Sequence, residues 1–131
     1  MGYIVKDVDI HKEKHLLLNI LKANRERPEF PYEQRFDWLY YDNPFGEARA
    51  WIIWDEAHDY PAGFTAVFPR KVLVNHKEYI CWNCGDFSIE KKYRSLGIAV
   101  KLRKAAKECV DRGMVPFLYA HPNNRMVHVH L

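Results

Sequence analysis

The stretch Phe87-Ser88-Ile89-Glu90-Lys91-Lys92-Tyr93-Arg94-Ser95-Leu96-Gly97-Ile98-Ala99 joins an apolar, β-forming run to a run of helical period. A glycine at such a helix start lets backbone amides approach a ligand closely. Those amides point out of the helix end, and the helix dipole adds positive potential. A phosphate or pyrophosphate can bind there without a charged side chain. The junction is not a Walker loop, because no Gly-Lys-Ser/Thr ending follows, and it lacks the Gly-x-Gly of a dinucleotide fingerprint.

Charge agrees with this reading. Residues 90–107 carry seven basic groups (Lys91, Lys92, Arg94, Lys101, Arg103, Lys104, Lys107) against Glu90 alone. That segment is +6, so the rest of the chain, from a total of +3, is +3 − 6 = −3. Charge confined to one loop and one helix suits a small polyanion better than a nucleic acid, which calls for a broad basic face with exposed aromatics.

Outward from the junction, apolar periodicity gives the remaining elements. Downstream, Ile98, Leu102, Ala105, Ala106, Cys109 and Val110 stripe a helix over about 96–112, with Gly113 as its stop. Val115 to His121 reads as a strand, and Pro122-Asn123-Asn124 opens a last segment. Upstream, Ala48–Trp54, Ala62–Val74 and Tyr79–Ile89 read as strands separated by the turns at Asp55–Pro61 and Asn75-His76-Lys77. Tyr3–Val8 reads as a first strand. Asp9 reads as the cap of a helix reaching about Asn24, and Pro31 as the first turn of a second helix carrying Phe36, Leu39 and Tyr40. The order β-α-α-β-β-β-α-β-(α) predicts a mixed α/β fold, with a mostly antiparallel sheet flanked by helices, and not a doubly wound one.

Length and composition set the outer bounds. The 131 residues fit one domain, 1–131, and 48% apolar residues suit a folded core. No run of 18 apolar residues or secretory leader is read, so no membrane partner is expected. Three cysteines, an odd number, read as reduced thiols and hence as a cytoplasmic protein. Cys81-Trp82-Asn83-Cys84 lies in a strand pattern, where positions three apart face opposite sides of a sheet, so neither redox nor zinc chemistry is expected of it. His128 and His130, with His121, could suggest a metal, but two histidines at i and i+2 do not share a helix face, and no metal is expected. The tryptophans Trp51, Trp54 and Trp82, with Phe117, read as core.

Arg94-x-x-Gly97-x-Ala99, preceded by Tyr93, resembles the pyrophosphate signature (Gln/Arg)-x-x-Gly-x-(Gly/Ala) of the GCN5-related N-acetyltransferases, or GNAT superfamily. The order of elements agrees over nearly the whole chain. Phe36–Gly46 looks like a Trp-x-Tyr-x-x-Asn-Pro-x-Gly element of one subgroup, and His121-Pro122-Asn123 looks like its Phe-Pro-Asn segment. The resemblance implies an acyl-CoA co-substrate, acetyl-CoA or another, and no metal. It implies that the amides of Ser95, Leu96, Gly97, Ile98 and Ala99, with Arg94 beside them, hold its pyrophosphate. Main-chain groups of Phe87 and Ile89 are then expected to pair with the pantetheine arm, and Asn123 to contact the cofactor. The implied reaction is direct transfer to an amine or hydroxyl of a small-molecule acceptor, with amino-sugar chemistry hinted by the subgroup. Asp86 is the first candidate for the base and His121 the second.

In the family pattern Asn-x-x-Ala-x-x-x-Tyr, counting from Asn123 puts His130 at the tyrosine that serves as acid. The chain ends before the family's last strands. This gives a second expectation, a non-catalytic CoA-binding or protein-interaction module derived from the same fold. It also gives the expectation of a homodimer across the open edge of the strand at 115–121.

Overall fold

The computed structural model describes residues 2–23, 30–94, 96–113 and 118–120. Strand β1 (Tyr3–Val8) leads to helix α1 (Lys14–Ala23), then to a short helix α2 (Tyr32–Phe36) that continues as a π-helical turn, Asp37–Tyr41. Strands β2 (Arg49–Asp55), β3 (Tyr60–Val74) and β4 (Lys77–Ile89) follow, then a 3-10 turn at Lys91–Tyr93, helix α3 (Leu96–Asp111) and strand β5 (Leu118–Ala120). The sheet order is β1-β2-β3-β4-β5. The first four strands pair antiparallel and β5 joins β4 in parallel, which gives the expected mixed α/β architecture.

Strand alternation sorts the side chains into two cores. One face of the sheet packs Ala50, Ile52, Phe64, Ala66 and Phe68 against Leu17, Leu18, Ile20 and Leu21 of α1 and against Phe36 and Tyr40. The other packs Trp51, Ile53, Ala62, Val67, Cys84 and Ile89 against Ile98, Leu102, Ala106 and Cys109 of α3. Leu102 is fully buried, so its truncation to alanine costs about 2–5 kcal/mol.

Three local departures from the sequence reading have physical causes. Helix α1 begins five residues after Asp9. The Asp9 carboxylate instead caps a separate turn, accepting from the amides of His11 and Lys12 at 2.9 and 3.2 Å. Pro31 sits just before α2, as its N-cap, rather than within its first turn.

The third departure is a bulge in β4, which the apolar pattern does not reveal. Phe64 pairs with Ser88 and Ala66 with Gly85, so Asp86 and Phe87 together oppose Thr65. Asp86 takes φ 48° to make room for the extra residue. Opposite, a Cβ on Gly63 would collide with the Ser88 carbonyl and lie 2.8 Å from the Ile89 Cα. Only glycine lets β3 come this close beside the bulge.

Candidate acyl-donor site

The β4–β5 ladder runs through Trp82–Leu118, Asn83–Tyr119 and Cys84–Ala120. Among the described residues it stops there, one residue short of the Gly85–Phe87 bulge. The end of β4, Phe87 to Ile89, therefore continues beyond that ladder toward the start of α3. A strand end, a tight turn and a helix N-terminus meet at this place.

The turn is fixed from several sides. The Glu90 amide donates to Ala62 O at 2.8 Å and the Tyr93 amide to Glu90 O at 2.8 Å. Arg94 Nε donates to Ile89 O at 3.0 Å, which ties the exposed arginine to the last strand residue. The Tyr93 hydroxyl donates to Asp55 Oδ2 at 2.8 Å, reaching across to the β2–β3 turn. Asp55 also meets His58 Nδ1 at 2.7 Å and accepts from the Ala57 amide at 3.1 Å. The Tyr93 hydrogen bond lowers the Asp55 pKa most, burial opposes it, and His58 and the amide add to the lowering. The same bond pushes the Tyr93 pKa up to about 12. Asp55 and His58 escaped the sequence reading, since nothing in a turn sequence announces a partner 38 residues away.

Gly97 lies in the first turn of α3, exposed, and a Cβ placed on it would meet nothing within 4 Å among the described residues. Packing among the described residues thus gives no reason for a glycine here. The open space is what a close-lying phosphate group requires. Ile98 and Ala99, by contrast, turn their side chains into the core. Ser95, His121, Asn123 and His130 lie outside the described residues, as does the Leu96 side chain. Of the basic segment, Lys91, Lys92, Arg94, Lys101, Lys104 and Lys107 are exposed, but Arg103 is buried. The sequence reading had counted it in the basic patch suited to a small polyanion.

Asp86 sits at the bulge on the side of the sheet facing α2. Arg35 Nη1 and Nη2 donate to its two oxygens at 2.9 and 2.7 Å, and the Tyr40 hydroxyl donates at 2.8 Å. The carboxylate expected to take a proton from substrate is thus already accepting three hydrogen bonds. Burial works against the Arg35 charge, but the bonds to Asp86 outweigh it and hold its pKa above the ordinary value. Asn43 completes this side. Its side chain donates to Pro69 O at 2.9 Å and accepts from the Phe45 amide at 3.0 Å, locking the Asn43-Pro44-Phe45-Gly46 turn onto β3.

Cys81 and Cys84 are free and buried, and burial raises both thiol pKa values. Among the described residues no three His, Cys, Asp or Glu side chains gather as a metal site. No helix among them is long and apolar enough to cross a membrane. A groove of about 590 Å³ runs between β1, β2 and α3, lined by Tyr3, Trp51, Lys101 and Lys104 among others. It includes none of the residues expected at the donor site.

The chain belongs to the GNAT acetyltransferase family, whose model matches residues 17–131. Solved structures share its fold. A predicted acetyltransferase with acetyl-CoA from Clostridium acetobutylicum is 14% identical with TM-score 0.73, covering 97% of this chain and 85% of that one. Glucosamine-6-phosphate N-acetyltransferase from Arabidopsis thaliana is 11% identical with TM-score 0.66, covering 96% and 86%. An aminoglycoside acetyltransferase from an uncultured soil metagenomic sample is 16% identical with TM-score 0.66, covering 95% and 82%. No curated protein matches the chain in sequence.

Proposed function

We propose that this domain transfers an acyl group from a CoA thioester to the amine of a small-molecule acceptor, an amino sugar being one candidate class. The observation that carries the proposal is the meeting of the β4 end with the α3 N-terminus, where Gly97 leaves open space that the described residues do not fill. The residues present fit the donor. Amides from Ser95 to Ala99 hold its pyrophosphate, Arg94 and the exposed lysines add attraction, and the main chain of Phe87 and Ile89 holds the pantetheine as an added strand would. Asn123 adds a side-chain contact to the cofactor.

The donor supplies an activated acyl carbon. The acceptor nitrogen attacks that carbon, the carbon–sulfur bond breaks, the sulfur leaves as a thiolate, and the nitrogen loses a proton. With Asp86 engaged by Arg35 and Tyr40, we assign it the positioning of the bulge. We assign proton acceptance to His121, the residue after β5, and protonation of the thiolate to His130. The three free cysteines support the reading of a cytoplasmic protein. A homodimer forms by pairing along β5, the sheet's outermost strand among the described residues.

Calorimetry with CoA, followed by a thiol-release assay over a panel of amines, tests the function. Turnover with at least one amine is expected. CoA binding without turnover on any amine would instead favour a non-catalytic module, and absence of CoA binding on folded protein would defeat both. Sedimentation as a monomer would remove the dimer.

A further inference from the structure

Arg103 is the one residue of the basic segment that α3 turns inward. It is 6% exposed, on the face that carries Ile98, Leu102 and Ala106. Its Nε and Nη1 are buried and, among the described residues, have no hydrogen-bond partner. The guanidinium lies 5.0 Å from the centre of the Phe87 ring. Burial lowers its pKa, with the Cys84 thiol as its electrostatic neighbour. A ring face offsets only part of what a guanidinium loses on leaving water, and buried cations are found paired with an anion. The buried carboxylate closest in sequence to Phe87, Asp86, is committed to Arg35 on the opposite face of the sheet.

The position of Arg103 relates it to the proposed donor. Cys84 is the last β4 residue in the ladder with β5, and Phe87 is the bulge residue just past it. Arg103 thus stands beneath the point where β4 leaves that ladder. Along α3 it is six residues beyond Gly97, about 9 Å at 1.5 Å per residue. A donor anchored at Gly97 and laid along Ile89 and Phe87 brings its thioester end to the bulge, the part of β4 that Arg103 underlies.

We infer that Arg103 binds a carboxylate at the far end of the transferred acyl group, so that the preferred donor is the CoA thioester of a dicarboxylic acid. This rests on the CoA reading above. The chemistry at the thioester is unchanged: the nitrogen–carbon bond forms, the carbon–sulfur bond breaks, the thiolate leaves, and the distal carboxylate remains ionised throughout. Arg103 acts by charge-assisted hydrogen bonds to that carboxylate.

The test is calorimetry of CoA, acetyl-CoA, malonyl-CoA and succinyl-CoA with the wild-type chain and with Arg103→Met and Arg103→Lys. The wild type is expected to bind malonyl- or succinyl-CoA about tenfold or more tightly than acetyl-CoA. Arg103→Met is expected to lose that preference while keeping its affinity for CoA itself, and to melt no lower than the wild type because it removes a buried charge that has no anion among the described residues. Arg103→Lys keeps a charge but not the two-pronged geometry, and is expected to retain part of the preference. Equal affinity for acetyl-CoA and both dicarboxylic thioesters overturns the inference and leaves the acyltransferase reading standing, as does a preference that survives in Arg103→Met. Failure of CoA itself to bind overturns both.

Discussion

Arg35 on α2 and Asp86 in the β4 bulge, 51 residues apart in sequence, form a two-pronged ion pair with bonds of 2.7 and 2.9 Å. The Asp86 side chain is 2% exposed and that of Arg35 29%, so the pair links the short second helix to the one irregular point of the strand beside the proposed donor. Tyr40 shares the load through its hydroxyl, bonded to the same carboxylate.

Removing one partner of a pair this buried leaves the other charge stranded. Arg35→Met is expected to destabilise the fold by about 3 kcal/mol. Asp86→Asn should cost less than Asp86→Ala, since asparagine tolerates the positive φ that alanine resists. Urea denaturation of the three variants and of Arg35→Met/Asp86→Asn checks this. The double variant should be less destabilised than the sum of its singles, and strict additivity would show that the pair contributes nothing.

Gly97 offers a test in which stability and binding move in opposite directions. A Cβ there meets nothing, so Gly97→Ala is expected to raise the stability of the ligand-free chain by up to about 1 kcal/mol through helix propensity. On the proposed function the same methyl group stands where the pyrophosphate would lie, so CoA affinity is expected to fall. Gly97→Asp, which adds a like charge, should abolish binding with the fold retained. Wild-type affinity should itself weaken as salt rises. Normal CoA binding by Gly97→Asp would show that the loop is structural.

The Tyr93–Asp55 hydrogen bond sets two pH limits on stability. Asp55 titrates below its ordinary value of 3.8, so its contribution is present above that pH and is lost as pH falls through the lower folded value. Tyr93 titrates near 12 against an ordinary 10.0, so its contribution is complete below pH 10 and lost as pH rises toward 12. Tyr93→Phe is expected to flatten stability at both ends. A pH titration followed by ultraviolet absorbance should show Tyr93 among the last tyrosines to ionise. A Tyr93→Phe variant with an unchanged pH profile would contradict this.

The cysteines should be inert in the native state. All three are free and buried, and burial pushes the Cys81 and Cys84 thiols above their ordinary range. An aromatic disulfide reagent is expected to react slowly with native protein and with three thiols per chain in urea. Rapid native labelling of Cys81 or Cys84 would show that β4 opens on the time scale of the reaction.

Much of the fold was legible because its elements announce themselves locally. The apolar, β-forming run Ala48–Trp54 follows from a central strand buried on both faces, the stripe from Ile98 to Cys109 from a helix that buries one, and the turn at Asn75-His76-Lys77 is short-range. The strand, basic turn and helix start of the loop proposed to hold the donor were legible for the same reason, since they are contiguous in sequence. The β4 bulge was not, because it depends on the register of β4 against β3, and neither strand alone carries that register.

The sequence by itself determined the order of elements, the sites of the turns and the position of Gly97 at a helix start, all consequences of interactions within about ten residues. Only the tertiary structure decided which charges are solvated and which are not. Arg35 and Arg103 look alike in sequence, as basic residues on amphipathic segments. One is brought to a carboxylate 51 residues away. The other is turned under Phe87 with no anion among the described residues to meet it. The cost of burying a charge depends on what lies within a few ångströms of it in space, and that distance exists only once the sheet has been assembled.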